Sequence, residues 1–218
     1  MIEAVLFDWG NTLVEFTWDD ELLAAGHRAA LGRDDRAFTE RYREVVLPAV
    51  GVPYDDLLRE LGVDDTDAFI DAEHDAWREA HAVLASAQAL LESLRNRGLK
   101  TGVVANAWPE PGRVLRADAD RYGLAPLLDT FVTSSEAGVR KPRPEIFLAA
   151  CRDVAVEPAA CLFVGDSLED DVQGAAELGM TTVQALWFRA DDTRTAIEPD
   201  FMAFTPMDVV NAVRRLQP

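Results

Sequence analysis

Three aspartates, Asp8, Asp166 and Asp171, lie at or just beyond the ends of short apolar segments of the sequence. Carboxylates gathered in one cleft repel one another and raise each other's pKa, so positive charge must compensate them. A hard divalent cation supplies such charge, and ligand sets made only of oxygen suit Mg²⁺. Lys141 adds a compact positive charge for a phosphate and for an ionised carboxylate. These residue types indicate metal-assisted chemistry in which Asp8 attacks phosphorus.

The predicted elements place these residues at one edge of a sheet. After residue 85 strands and helices alternate, which predicts an α/β fold with a doubly wound parallel sheet covered by helices on both faces. In such sheets ligands bind beyond the carboxyl ends of the strands, where Asp8, Asn106 and Asp166 fall. The predicted strands are 3–8, 101–105, 131–133, 161–164 and 181–186, and the predicted helices are 87–97, 144–153, 169–178 and one that ends at Leu216 after a cap at Thr205.

Residues 16–84 follow a different pattern. They are rich in Ala, Leu, Arg, Asp and Glu, with apolar residues at helical spacing such as Leu57, Leu58 and Leu61. No convincing strand is found there. The sequence therefore predicts a helical insertion between the first strand and the rest of the α/β core.

Four short motifs follow the predicted strands in order. They are Asp8-Trp9-Gly10-Asn11-Thr12, the strand that ends before Asn106, Lys141-Pro142-Arg143-Pro144-Glu145-Ile146-Phe147, and Val164-Gly165-Asp166-Ser167 with Asp171, Gly174 and Ala175. Each motif alone is more typical of a turn or a helix cap. In this combination and order they indicate an active site, and they resemble the four motifs of the haloacid dehalogenase-like (HAD) superfamily.

The resemblance implies a HAD-type Rossmann-like core formed by residues 1–15 and 85–218. It implies that residues 16–84 are a helical cap, inserted after the first motif, which closes over the active site and selects the substrate. The implied activity is that of a magnesium-dependent hydrolase, a phosphatase of a small phosphorylated metabolite, that forms an aspartyl-phosphate on Asp8.

The resemblance also implies roles for single residues. Asp8 corresponds to the nucleophile and Lys141 to the phosphate-binding lysine. Asn106 corresponds to the residue after the phosphate-binding hydroxyl, and it is a candidate substrate ligand. Asp170 is a neighbouring candidate for the metal. The magnesium ligands correspond to Asp8, the backbone carbonyl of Gly10, Asp166 and Asp171.

Two positions depart from the phosphatase pattern of the superfamily. Gly10 stands where those phosphatases carry a second aspartate that acts as general acid and base, and Ala105 stands where they carry Ser or Thr. Proton transfer to a departing alkoxide therefore has no obvious donor, and one hydrogen bond to phosphate is lost. A binding protein that keeps the metal and phosphate site without turnover is thus an open alternative.

Two other activities of the superfamily also lack the second aspartate. Phosphonoacetaldehyde hydrolases need a cap lysine for a Schiff base, and residues 16–84 contain no lysine. Haloacid dehalogenases attack carbon without a metal, so they do not need a dense cluster of acids. The cluster Asp166, Glu169, Asp170 and Asp171 favours a metal enzyme, and metal-independent dehalogenation stays as the second alternative.

The tryptophans divide into two groups. Trp9 and Trp108 each follow a strand that carries a motif, so they either form walls of a substrate cleft or pack in the core. Trp18, Trp77 and Trp187 are interpreted as packing residues.

Composition excludes several classes of partner. The chain has 218 residues, of which 49% are hydrophobic, and a formal charge of −18 from 21 Lys plus Arg and 39 Asp plus Glu. Such a surface repels nucleic acid and anionic membranes. The expected partner, a small anionic phosphorylated metabolite, is what the resemblance implies. The sequence contains neither a long apolar run nor a signal peptide, and its two cysteines indicate reduced thiols in a cytoplasmic protein. The oligomeric state is open.

Overall fold

The computed structural model describes residues 1–16, 20–49, 52–78, 81–107, 111–188 and 196–217. The strands in these residues are β1 (Ala4–Phe7), β2 (Val14–Phe16), β3 (His81–Val83), β4 (Lys100–Ala105), β5 (Thr130–Thr133), β6 (Cys161–Gly165), β7 (Thr181–Ala185) and β8 (Phe201–Ala203). The α-helices are α1 (Asp20–Leu31), α2 (Arg36–Val45), α3 (Tyr54–Glu60), α4 (Thr66–Arg78), α5 (Ala87–Arg95), α6 (Gly112–Arg121), α7 (Ser134–Ala137), α8 (Pro144–Val154), α9 (Gly174–Glu177) and α10 (Pro206–Leu216).

Six strands form a parallel sheet in the order β5-β4-β1-β6-β7-β8. The first strand of the chain, β1, lies in the middle, where Phe7 is opposite Val103 of β4 and Val164 of β6. Because all six strands run in the same direction, their carboxyl ends meet at one edge of the sheet. The predicted α/β fold class is confirmed.

Helices cover both faces of the sheet, so β1 is buried on both sides. Val5 and Phe7 pack on one face together with Leu91 of α5. Leu6 packs on the other face together with Phe147 of α8. This double burial explains why the first strand is a continuous apolar run rather than an alternating one.

Helices α1 to α4 form a separate group, called the helical unit below, with an apolar core of its own. Leu23, Leu58 and Trp77 are fully buried in that core. Val114 of α6 also packs into it, so the helical unit contacts the α/β core through α6.

Ion pairs reinforce the contact between the helical unit and α6. The buried carboxylate of Asp118 accepts hydrogen bonds from Arg78 Nε at 2.8 Å and pairs with His74 Nε2 at 2.7 Å. Asp118 lies on α6 and its two partners lie on α4, so these contacts hold α4 against α6.

The prediction that residues 16–84 contain no strand is wrong. His81–Val83 forms β3, which pairs antiparallel with β2, so that Val14 is opposite Val83 and Phe16 is opposite His81. Each strand has three residues, which is too short for a recognisable alternation of apolar and polar residues. The pairing partners are also distant along the chain.

The predicted helix 169–178 is divided in the structure. Residues Leu168–Gln173 form a π-helical segment, and α9 follows directly. The carbonyl of Ser167 accepts hydrogen bonds from both Asp171 N and Val172 N, each at 3.1 Å. Such segments are frequent at functional sites.

Besides β2 and β3, three described elements were not predicted from the sequence: α6, the short α7 and β8. The remaining predicted elements of the core are confirmed to within two residues at their ends, including the capping box of Thr205 and Asp208 before α10. In the part of the chain that the structure describes, every helix is too short or too polar to cross a bilayer.

Candidate active site

The three predicted acids meet at the carboxyl edge of the sheet. Asp8 follows β1, and its backbone N–H donates to the carbonyl of Val164 in the neighbouring β6 at 2.8 Å. Asp166 comes directly after β6, and Asp171 lies in the π-helical segment. All three are buried, and one carboxylate oxygen of each lies within 4.8 Å of the others.

Lys141 joins two of these acids. Its Nζ donates to Asp8 Oδ1 at 2.5 Å and to Asp171 Oδ1 at 2.7 Å. The lysine is only 4% exposed and its ammonium lies 5.6 Å from the ring centre of Phe163. By contrast, Lys100 is exposed and pairs with Asp129, so it takes no part in the site.

The charges of the site are not balanced by Lys141 alone. Burial raises the pKa of Asp8 to about 7, with further increases from Asp171 and Asp166, although Lys141 lowers it. Burial alone would lower the pKa of Lys141, but the carboxylates of Asp171 and Asp8 raise it above its ordinary value, so the ammonium stays charged. Three carboxylates and one ammonium leave two negative charges uncompensated. An oxygen-only cluster with that charge fits a hard divalent cation.

The π-helical segment orients Asp171. Its Oδ2 accepts the backbone N–H of Ser167 at 3.0 Å, and the Ser167 hydroxyl caps the segment by accepting from Asp170 N at 3.1 Å. A Cβ on Gly165 would lie 2.3 Å from the Asp171 carboxylate. Only glycine at position 165 therefore leaves room for this side chain.

The side chain of Asn106, which follows β4, forms hydrogen bonds with the backbone of Lys141. Its Oδ1 accepts from Lys141 N at 2.8 Å, and its Nδ2 donates to the Lys141 carbonyl at 3.2 Å and to Asp170 Oδ2 at 3.3 Å. Sequence reasoning missed these contacts, because nothing in the local pattern shows that the motifs of Asn106 and Lys141 touch. A role of Asn106 as a phosphate ligand stays a prediction.

Gly10 is half-buried at the same edge, and a Cβ added there would have no heavy atom within 4 Å. Its φ lies outside the left-handed region, whereas the next residue, Asn11, has φ 53°. The Asn11 side chain accepts the backbone N–H of Phe16 at 3.1 Å and thereby ties this loop to β2. Metal binding by the Gly10 carbonyl stays a prediction.

A cavity of about 330 Å³ opens above the acids, between the sheet edge and the helical unit. Trp9 lines it and also packs in the core, with its ring centre 5.3 Å from that of Phe131. Trp77, interpreted from the sequence as a packing residue, is fully buried and lines the cavity as well. The predicted cleft residue Trp108 lies outside the described residues.

Sequence reasoning missed most walls of this cavity. Phe16 and His81, paired across β2 and β3, line it with ring centres 4.6 Å apart, and Leu47 lines it from the segment after α2. No sequence signal marks these residues, because their position depends on how the helical unit contacts the core.

Comparison with known proteins agrees with this architecture. The family model of the haloacid dehalogenase-like hydrolases matches residues 2–179. The chain is 29% identical to a glyceraldehyde 3-phosphate phosphatase of Methanopyrus kandleri over 99% of both chains. It is 30% identical to a ribulose-1,5-bisphosphate 5-phosphatase of Halopiger xanaduensis over 84% of both chains. The crystal structure of a HAD phosphatase from Thermococcus onnurineus has the same fold, with a TM-score of 0.70, 24% identity and coverage of 97% of this chain and 98% of the other.

Proposed function

Because the chain belongs to the haloacid dehalogenase-like hydrolase family, we propose that it is a magnesium-dependent phosphatase of a small phosphorylated metabolite. One observation carries the proposal: the buried carboxylates of Asp8, Asp166 and Asp171 lie within 4.8 Å of one another, with Lys141 Nζ 2.5 Å from Asp8. The names of the two phosphatase relatives support a phosphate ester as substrate.

Asp8 is the proposed nucleophile. An Asp8 carboxylate oxygen attacks phosphorus, the bond from phosphorus to the ester oxygen breaks, and the leaving group departs as an alkoxide or aryloxide that takes its proton from water. Water then attacks the phosphorus of the aspartyl-phosphate, which releases inorganic phosphate and restores the carboxylate. Lys141 neutralises charge on Asp8 before the attack and on the phosphoryl oxygens during it.

Asp8, Asp166 and Asp171, with the Gly10 carbonyl, are the proposed ligands of Mg²⁺. Bound Mg²⁺ would keep Asp8 ionised and would draw the phosphoryl group towards it. The raised pKa of Asp8, caused first by burial, supports this assignment, because a bound cation would favour the ionised form of that carboxylate at neutral pH. The helical unit is the proposed cap, since it supplies the wall of the cavity opposite the acids.

The proposal is tested with metal-free protein, p-nitrophenyl phosphate and added MgCl₂. Hydrolysis should require the metal, and Asp8→Asn should lose nearly all turnover while its circular dichroism spectrum is unchanged. Mass spectrometry with a slow substrate should locate the phosphoryl group on Asp8.

Two results would contradict the proposal. A protein that binds phosphate esters and returns them unchanged would be a binding protein. Release of halide from 2-haloacids in the presence of EDTA would identify a dehalogenase.

A further inference from the structure

The cavity above Asp8 has charged side chains on its floor and mainly apolar side chains on its walls. We infer that it accepts phosphate monoesters whose organic part is small, uncharged and largely apolar, and that it rejects compounds with a second anionic group. This inference rests on the proposed phosphatase function and adds the chemical class of the substrate to it.

The walls opposite the acids are apolar and mostly aromatic. They include Trp9 and Leu115 from the core and Phe16 and Leu47 on the other side, with the His81 ring beside Phe16. Trp77 also borders the cavity, but it is fully buried and its indole N–H donates to the Leu22 carbonyl at 3.0 Å. The wall therefore offers flat apolar surface to the part of the substrate that is remote from phosphorus.

The ammonium group that lines the cavity already forms ion pairs with carboxylates of the site. Among the described residues that line it, Lys141 is the only lysine or arginine, and its ammonium donates to Asp8 and Asp171. Mg²⁺ at its proposed ligands, together with Lys141, would offset the charge of Asp8, Asp166 and Asp171, whereas Asp170 lines the same space in addition. A carboxylate or second phosphate on the substrate would thus meet apolar walls and the Asp170 carboxylate without a lysine or arginine to pair with among the described lining residues, and burying such an unpaired charge disfavours binding.

The size of the cavity agrees with a small organic group. Its volume of about 330 Å³ lies at the lower end of the usual range for small-molecule sites. The phosphoryl group occupies the floor beside Asp8, which leaves the apolar part for a group of the size of a benzene ring or a short carbon chain.

Two matched pairs of substrates test the inference, with the metal-loaded full-length protein. Phenyl phosphate is compared with 4-carboxyphenyl phosphate, and glyceraldehyde 3-phosphate with 3-phosphoglycerate. The para carboxylate makes the phenol a slightly better leaving group, so slower hydrolysis of that ester cannot come from the chemical step. We expect kcat/KM to be at least about tenfold lower for the doubly anionic member of each pair, since like-charge contacts cost enough for such a factor.

A second experiment adds a positive charge to the wall of the cavity. Leu47 lines the cavity from the helical unit and is 38% exposed, so a longer polar side chain is tolerated there. Leu47→Lys should raise the ratio of kcat/KM for 4-carboxyphenyl phosphate over phenyl phosphate at least about fivefold. Leu47→Gln controls for size and polarity, and Met207→Lys, at an exposed position on α10, controls for net charge. Neither control should change the ratio.

The outcomes separate this inference from the proposed function. Equal hydrolysis of both members of each pair would overturn the inference and leave the phosphatase assignment intact. An unchanged ratio in Leu47→Lys would also overturn it, because rejection would then not depend on charge at the wall. No hydrolysis of any of the four esters with Mg²⁺ would remove the proposed function and this inference with it.

Discussion

The side-chain amide of Asn106 binds both polar groups of the Lys141 backbone. It accepts from the Lys141 N–H at 2.8 Å and donates to the Lys141 carbonyl at 3.2 Å. The ammonium of the same lysine reaches Asp8 Oδ1 at 2.5 Å. Asn106 therefore fixes the backbone from which the only lysine of the site extends, in addition to facing the cavity.

Asn106→Ala should lower kcat/KM for phenyl phosphate by about 10- to 100-fold, because small displacements of a charged group can cost about 100-fold in rate. Steady-state kinetics at saturating Mg²⁺ measure the effect. Asn211→Ala, at a half-buried position of α10, is the matched control and should keep the activity. Activity of Asn106→Ala within twofold of the wild type would mean that Lys141 is held by other contacts.

Gly10→Asp should increase the hydrolysis of alkyl phosphates selectively. The structure leaves open space for a side chain, since a Cβ at position 10 has no heavy atom within 4 Å and the φ is not left-handed. General acid catalysis contributes about 10²- to 10⁴-fold, most of all for basic leaving groups, so a gain of at least about tenfold for glycerol phosphate is expected. Aryl phosphates should gain little, because nitrophenolate needs no proton to leave. Ala105→Ser in the same protein should increase alkyl ester turnover further.

Gly10→Asn is the control for that variant, since its side chain has the same size and cannot transfer a proton in the same way. Equal gains with Asn and Asp would assign the effect to packing or hydrogen bonding. A folded Gly10→Asp protein with no selective gain would mean that another group already protonates the leaving alkoxide.

Asp166→Asn should weaken the response to metal. At subsaturating Mg²⁺ the variant should lose far more activity than at high Mg²⁺, because a ligand has been removed from a cluster whose carboxylates lie within 4.8 Å of one another. A metal titration of kcat, together with the rise of the melting temperature on addition of Mg²⁺, measures the change. Glu169→Gln removes an exposed acid of the same segment and should leave both curves unchanged. Full activity of metal-free wild-type protein in EDTA would refute the metal requirement.

Acid should destabilise the helical unit through His27. This side chain is buried, with Nε2 3.2 Å from Glu73 Oε1 and Nδ1 2.8 Å from Thr39 Oγ1. Burial, assisted by the charge of Arg43, lowers the pKa of His27 from its ordinary 6.5 to about 4. The imidazole shares a hydrogen bond with the Thr39 hydroxyl at Nδ1 and meets Glu73 through Nε2, and burial in this apolar unit favours its neutral form.

The sign of the pH effect follows from that lowered pKa. Between pH 6.5 and 4 the unfolded chain binds a proton at His27 and the folded protein does not. The contribution of the neutral imidazole to the free energy of unfolding is therefore fully present above pH 6.5 and is lost as the pH falls. His27 should account for about 2 kcal/mol of the free energy of unfolding lost between pH 7 and pH 5. Urea unfolding at the two pH values should show this loss in the wild type and not in His27→Gln. If instead the wild type gains stability in acid relative to His27→Gln, Glu73 stabilises the imidazolium.

The sequence predicted where the acids lie better than the space around them. Asp8 and Asp166 directly follow strands, and parallel strands bring their carboxyl ends together without further information. The walls depend on contacts between distant segments: Phe16 and His81 meet only because β2 pairs with β3, and Leu47 reaches the cavity only because α4 packs on α6. The spacing of apolar residues within a short stretch of sequence does not predict contacts between distant segments.

The sequence pattern also did not predict two local features of the site. The double hydrogen bond from Asn106 to Lys141 connects two motifs, and no spacing rule predicts it. The π-helical segment replaces the start of a predicted α-helix through a shift of one hydrogen bond at Ser167, which periodicity cannot resolve. The catalytic and metal-binding roles themselves stay predictions until the experiments above are done.

The antiparallel pairing of β2 with β3 brings the two ends of the insertion side by side, with Val14 opposite Val83. Neither strand belongs to the six-stranded sheet, so the sheet keeps its register whatever is placed between them. The helical unit therefore joins the rest of the chain at this two-stranded junction and at α6, so a replacement would need new partners for Val114 and the buried Asp118. Under the proposed function, substrate preference would in this way diverge among descendants of one ancestor while the proposed chemistry at Asp8 is inherited unchanged.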